Sequence, residues 1–252
     1  MSKFFVDLKN IDKENKLILI SGEDVNHLKN VLRSAVGDSI TVCDGAGYDY
    51  IGTISQMSKT EVEVTFTETI KCDTEPVFET VLYQGVAKGE RMDQLIQKCV
   101  ELGISRIVPV LCKRTVVSLK NDKDREAKRV RWQRIAAEAA KQCNRGIIPE
   151  VALPVSFVEA VKEVAQLDCG KTLKLIPYEN EHKVNLKSVL GKIKEIPKCA
   201  LFFIGPEGGF DEIEVESAIN AGCATLSLGN RILRTETAGP AILSVLQYVF
   251  GT

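Results

Sequence analysis

The segment Ile204-Gly205-Pro206-Glu207-Gly208-Gly209-Phe210-Asp211 carries the most chemical content in the chain. It follows an apolar run at 199–204, and a helix start marked by Asp211 and Glu214, an Asp-x-x-Glu capping box, comes after it. Glycines at the C-terminal end of a parallel strand let the backbone pass close to a ligand, and free N–H groups there can hold an anion. The same glycines also suit a tight strand–helix turn that only needs positive φ, and spacing leaves both readings open. The segment matches neither GxGxxG nor GxxxxGK[ST], which argues against dinucleotide and P-loop nucleotide binding.

A second strand-end loop spans 226–240 and sets Arg231, Arg234 and Glu236 among apolar residues. Thr235 or Thr237 can cap the helix that follows, and Pro240 fits only in its first turn. Arg234 and Glu236 read either as reactive groups or as a local structural ion pair. A third loop, Ile176-Pro177-Tyr178-Glu179-Asn180, ends another strand. Three such loops can converge on one pocket. Basic residues concentrate in 113–145, where eleven Lys and Arg face four Asp and Glu around the only Trp, Trp132. A local excess of this size can engage phosphates, although charged helix faces are often merely solvated. His27, Lys29, Asn30 and Arg33 form a smaller cluster beside an apolar helical stripe.

The elements that position these loops fall into two textures. Residues 1–72 hold short runs rich in Ile, Val, Thr and Tyr at 16–20, 39–43, 48–55 and 60–68, with Gly/Asp turns between them. A helix at 23–32 is expected to bury Val25, Leu28, Val31 and Leu32, and the whole reads as a compact barrel with one helix. The stretch 71–77 reads as a linker. From about residue 78, strands alternate with helices: strands at 81–86, 106–111, 172–176, 199–204 and 224–228, and helices at 90–102, 124–143, 157–167, 185–194, 212–221 and 238–250. Gly103 stands where a C′ glycine ends a helix. This alternation predicts an α/β domain with a mostly parallel sheet covered on both faces.

The 252 residues carry 27% charged and 44% hydrophobic side chains, ordinary values that exclude a disordered or collagen-like chain. No apolar run approaches the roughly 18 residues of a membrane span, and residues 1–10 lack the apolar core of a signal peptide. A cytoplasmic protein with no membrane partner is expected. Net charge is −1, which argues against bulk electrostatic binding to nucleic acid and says nothing about a local patch. The eight cysteines contain no CxxC and the chain has two histidines. That argues against a structural zinc site, so no metal is expected, and the cysteines read as reduced core residues.

Several segments in order are similar to a known family: 27–33 with Gly37-Asp38; Lys88-Gly89-Glu90-Arg91-Met92-Asp93; Lys98 with Glu101-Leu102-Gly103; Arg114-Thr115; Arg134 to Arg145 with Gln142; 204–210; and 228–238. Together they resemble the 16S ribosomal RNA uracil-N3 methyltransferases of the SPOUT superfamily, over nearly the whole chain. The last two segments are the most specific. The resemblance implies a PUA-like β-barrel RNA-binding domain at 1–72 and an α/β methyltransferase domain at 73–252 with a C-terminal trefoil knot, a feature that spacing alone never suggests. It implies S-adenosylmethionine held by Leu175, Ile176, Pro177, Ile204, Gly205, Glu207, Gly208, Gly209, Leu228, Gly229, Arg231, Ile232 and Leu233. It further implies catalysis by Arg234 and Glu236, a homodimer, and 16S ribosomal RNA of the small subunit as the partner. His27, Lys29, Arg33, Lys88, Arg91, Arg114, Gln142 and Arg145 are the expected RNA contacts. The competing readings are ribose 2′-O methylation on the same fold and a non-enzymatic RNA-binding or ribosome-assembly protein.

Overall fold

The computed structural model describes residues 3–168 and 170–251, so Cys169 lies outside the described residues. By packing, the chain divides into two compact units, 1–75 with 137–148 and 76–136 with 149–252. The segment 137–148, expected with the second unit from its place in the chain, packs with the first. Its anchor is the Glu75 carboxylate, which accepts from the backbone N–H of Gly146 and Ile147 and pairs with Arg145.

In the first unit, β1 (Lys3–Phe5), β2 (Ile11–Asp12), β3 (Leu17–Ser21), β4 (Ser39–Cys43), β5 (Tyr48–Met57) and β6 (Glu61–Lys71) form a six-stranded sheet. Its order is β1-β4-β5-β6-β3-β2. Only β1 and β4 run parallel. Alternating residues from one face, among them Ile18, Ile20, Val42, Ile54, Val62 and Val64, fill a core with Val25 and Leu28, as the period of two requires. The helix expected at 23–32 is α-helical only over α1 (Glu23–Asn26). His27–Val31 forms a wider turn in which the Leu32 N–H reaches back to the His27 carbonyl at 3.0 Å. The widening changes the helical phase, so Val31 and Leu32, expected inside, are exposed while Val25 and Leu28 stay buried.

The second unit holds an all-parallel sheet of β7 (Glu79–Gly85), β8 (Arg106–Leu111), β9 (Glu150–Val151), β10 (Val155–Ser156), β11 (Thr172–Pro177), β12 (Cys199–Ile204) and β13 (Ala224–Leu226). The order is β10-β8-β7-β12-β11-β13, with β9 also pairing β8. The central β12 is buried from Ala200 to Ile204, the near-continuous apolar run that two covered faces demand. Of the helices α2 (Glu90–Glu101), α3 (Asp122–Gln142), α4 (Phe157–Ala165), α5 (Leu186–Leu190), α6 (Glu212–Asn220) and α7 (Thr235–Phe250), α2 packs on α7 and α4 on α6. Neighbouring β7 residues show the two faces: Leu82 lies against α7 at Gly239, and Tyr83 lies in the cluster with Phe157 and Val215. Gly103, with φ +89°, closes α2 as expected. The ammonium of Lys174, buried within β11, donates to the carbonyls of Val164, Leu167 and Ala221 and so satisfies groups at the ends of α4 and α6.

Among the elements that differ in extent from their sequence reading are α5, β13 and α7. α5 ends at Leu190 with Gly191 as its C-cap, well short of 194. β13 stops at Leu226, because Ser227 turns away to pair through an isolated bridge with Asn185. α7 starts at Thr235, three residues early, which places Pro240 inside the helix rather than in its first turn. Neither threonine caps it: Arg234 is the N-cap and Thr235 is held elsewhere. Among the described residues no helix is long and apolar enough to cross a membrane. The seven described cysteines are free thiols, four of them buried.

Candidate active site

The loops leaving the carboxyl ends of β11, β12 and β13 frame a cavity of about 740 Å³, within the usual size of ligand sites. The capping box at the start of α6 is present, with the Asp211 side chain accepting from the Ile213 N–H and the Glu214 carboxylate from the Asp211 N–H. It fixes where the 205–210 turn ends. The other end is held by a threonine: the Thr235 hydroxyl donates to the Gly205 carbonyl at 2.7 Å and accepts from Gln84 Nε2 at 2.8 Å. One buried hydroxyl thereby ties β7, the glycine loop and the N-terminus of α7 together. Sequence reasoning did not single out Gln84 and took Thr235 only as a cap. A buried Gln on an apolar strand was the available signal.

The glycines earn different explanations. A Cβ on Gly85 would sit 2.5 Å from the Pro206 nitrogen and 2.9 Å from the Gly205 carbonyl carbon, so β7 and the loop touch backbone to backbone there. Gly209 has φ +68°, and a Cβ on it would lie 2.9 Å from the Glu179 carboxylate, a conformation and an approach that only glycine takes without strain. A Cβ on Gly208 would meet Arg114 at 3.0 Å.

Around this frame the expected cofactor residues Pro177, Ile204, Gly205, Glu207, Gly209, Leu228, Gly229, Arg231, Ile232 and Leu233 all line the cavity. Leu175 and Ile176 do not. Both are fully buried inside the sheet, because the strand turns its residues into the core until Pro177. Gly208 also stays off the wall, because it faces Arg114. Tyr178, Glu179, His182, Ser227 and Asn230 also line it, and His182 among them was not anticipated.

Arg91, Arg234 and Glu236 belong to this cavity and also to a second, polar cleft of about 580 Å³ formed with Lys88, Gly89, Glu90 and Gln94. Glu236 Oε1 stands 4.0 Å from both Arg91 Nε and Arg234 Nη1, and Glu236 Oε2 is buried with no partner. Arg91 Nη1 also reaches Glu207 Oε1 at 2.8 Å, an atom that accepts the Lys88 backbone N–H at 2.9 Å. Partial burial opposes ionisation of Glu207, but the Lys88 N–H and the Arg91 guanidinium more than offset it and hold its carboxyl below the usual range. The Arg234 side chain is 80% exposed, so its charge faces the cavities rather than a structural partner.

The expected RNA contacts separate into groups. Lys88 and Arg91 sit at the start of α2 and hold the glycine loop through Glu207. Arg114 donates to the Gly208 carbonyl at 3.1 Å, and neighbouring Lys113 bonds to Asp211 at 2.9 Å. This pair clasps the loop from its other side. Arg145 corrects its expectation outright: it is 4% exposed and paired with Glu75, a structural cation withheld from any ligand. Gln142 is exposed. In the first unit His27 lies edge-on to Phe4, Lys29 donates to the Ser58 carbonyl, and Arg33 takes φ +54° at the exposed helix end. The basic excess of 113–145 is partly answered at home, since Arg131 pairs with Asp93, Arg129 with Glu126 and Lys141 with Asp24. Trp132 is buried rather than displayed.

An all-parallel sheet with helices on both faces, and with a ligand-sized cavity at its carboxyl edge, defines an α/β binding or transfer domain. Comparison with known proteins narrows the class. Residues 73–247 match the family described as the RNA methyltransferase domain, and 20–67 match the RNA methyltransferase PUA domain. Ribosomal RNA small subunit methyltransferase E of Bacillus subtilis (strain 168) is 34% identical, with 98% of this chain and 96% of that protein covered. The protein of the same name from Mesomycoplasma hyopneumoniae (strain 232) is 32% identical over 97% and 98%. The crystal structure of ribosomal RNA small subunit methyltransferase E from Neisseria gonorrhoeae bound to S-adenosyl methionine superposes with a TM-score of 0.86 at 30% identity, covering 100% of this chain and 98% of that one. The chain belongs to the ribosomal RNA small subunit methyltransferase E family of RNA methyltransferases.

Proposed function

We propose that this protein transfers the methyl group of S-adenosylmethionine to N3 of a uridine in 16S ribosomal RNA. The observation that carries the reading is the pair of cavities sharing one wall, Arg91, Arg234 and Glu236. One cavity, framed by glycine and main-chain groups, suits a nucleoside cofactor; the other, polar and bordered by α2, suits a base. The residues fit the group: the loop cavity has the volume for it, and Gly205 and Gly209 are approached so closely that side chains would narrow the frame. Bound there, S-adenosylmethionine supplies a sulfonium-activated methyl group.

The protein's own task is to make uracil N3 a nucleophile and to align it. N3 carries a proton and attacks poorly until that proton leaves. Arg234, exposed at the shared wall, places a positive charge where the uracil anion develops, which lowers the N3 pKa and stabilises the transition state. Glu236, 4.0 Å from Arg234, serves either to orient that guanidinium or to accept the N3 proton. Arg91 keeps Glu236 and Glu207 in place. Alignment of the two reactants supplies much of the remaining rate.

The same reading assigns RNA contact to His27, Lys29 and Arg33 of a barrel-like first domain spanning 1–72, and to Gln142. The match to a PUA-domain description supports that role. It also takes 73–252 as a methyltransferase domain with a C-terminal trefoil knot, acting in the cytoplasm as a homodimer. Nucleoside mass spectrometry of ribosomal RNA tests the reaction. Cells lacking the protein should lose 3-methyluridine from 16S RNA and regain it on complementation. Loss of a 2′-O-methylated nucleoside instead would transfer the chain to ribose methylation, and an unchanged profile would remove the enzymatic reading.

A further inference from the structure

Outside the methyl-transfer residues, Cys43, Asp49 and Cys72 bring two Sγ atoms and a carboxylate oxygen within 4.8 Å of one another, and this is the one such group among the described residues. Sequence spacing hides it, because the ligands come from three adjacent strands. Cys43 and Asp49 are cross-strand partners on β4 and β5, so their side chains share a face. Cys72 follows β6 and binds the Gly47 carbonyl through its N–H at 2.9 Å, which places it on the far side of β5. Cys43 and Cys72 thus lie on opposite sides of β5, and both are free thiols. Their side chains nevertheless converge. Two thiols and a carboxylate that meet in this way can be bridged by an ion.

The site already holds a cation. Lys3 Nζ lies 2.8 Å from Asp49 Oδ2, 3.8 Å from Cys72 Sγ and 3.1 Å from the Asn144 carbonyl. Asp49 Oδ1 is buried with no partner, and the Cys43 thiol donates to the Gly146 carbonyl at 3.2 Å.

We propose that Cys43, Asp49 and Cys72 form a structural binding site for a thiolate-preferring divalent cation of the zinc class, with water as fourth ligand. Charge and protons balance. The metal-free site pairs one ammonium with one carboxylate and two neutral thiols. In the loaded site a 2+ ion meets two thiolates and one carboxylate, a net −1 that the Lys3 ammonium cancels, and two protons leave for solvent. Soft sulfur ligands select zinc over magnesium or calcium. The Asp49 oxygen that has no partner gains one, and the ion pins the ends of β4, β5 and β6 in one place. Lys3 stands on a three-residue strand that is the first of its sheet, so its side chain can shift aside.

The test is titration of the full-length, reduced, metal-stripped protein with Co²⁺, followed by absorption. The expected result is saturation at one equivalent with thiolate-to-cobalt charge-transfer intensity and the d–d bands of tetrahedral coordination, both erased by Zn²⁺. Asp49→Asn, which removes a charged direct ligand, should weaken binding by at least about tenfold, no less than the loss of an outer-shell partner costs. Cys72→Ser should abolish the charge-transfer signature, and Cys199→Ser should change nothing, all three with wild-type circular dichroism. Absence of the band, or its survival in Cys72→Ser, overturns the proposal. Should Cys72→Ser fail to fold, the Asp49→Asn affinity and the wild-type stoichiometry decide.

Discussion

Replacing Arg234 with Ala should lower methyl transfer by about 10²–10³-fold, the usual cost of removing one preorganised charge stabiliser. Cofactor affinity should stay within about twofold, because the expected loss lies in the transition state and not in ground-state binding. The reason is geometric. Arg234 is the N-cap of α7, yet it makes no side-chain cap bond, and its nearest carboxylate is 4.0 Å away. A guanidinium this exposed contributes little to folding, and its loss should move stability by no more than about 0.5 kcal/mol. What it does have is position, on the wall common to both cavities. Arg234→Lys keeps the charge but loses the planar fork, so its turnover should fall between those of the wild type and Arg234→Ala. Single-turnover assays and calorimetry on the three proteins separate the quantities. Near-normal turnover in Arg234→Ala would place the stabilising charge on another residue, with Arg91 the next candidate at the same wall.

Gly85→Ala should produce the opposite pattern, a loss of cofactor binding of at least about tenfold, equivalent to about 1.4 kcal/mol. The added methyl group would stand 2.5 Å from the nitrogen and Cδ of Pro206. Neither atom belongs to a side chain that can rotate away. Relief requires moving the 205–209 turn, which Thr235 and the α6 capping box hold at its two ends. Overpacking of this kind costs about 1–3 kcal/mol of stability, and the displaced turn no longer presents its main chain to the cavity. Gly208→Ala should do less, because its methyl group meets Arg114 outside the cavity wall. Calorimetric titration together with a denaturant melt checks both variants. Wild-type affinity in Gly85→Ala would mean that the glycine turn does not form the wall it is assigned.

The parts legible from sequence were those whose causes are local. The apolar run of β12, the glycine turn after it and the Asp211–Glu214 capping box all lie within the sixteen residues 199–214, and each implies the next. Gly103 ended α2 for the same local reason. What escaped was decided by contacts distant in the chain. Thr235 reads as a cap from its neighbours, but its hydroxyl is claimed by Gly205 and Gln84, so α7 begins early and Pro240 falls within it. Arg114 and Arg145 look alike as basic residues; one clasps Gly208 and the other is sealed against Glu75, and only the folded chain tells them apart. Leu175 and Ile176 adjoin the cavity in sequence but point into the core, because a strand's residues are committed to the sheet until it ends. The cysteine–aspartate cluster was invisible for a related reason, as its members converge only across three strands.

The most direct measurement is a crystal structure of the protein with S-adenosylhomocysteine, the product that the proposed transfer leaves behind. The account predicts the ligand among Pro177, Gly205, Gly209 and Leu228–Leu233, with its sulfur turned toward the cleft that Arg234 shares. Density at any other place on the protein, or none at saturating ligand, would contradict it.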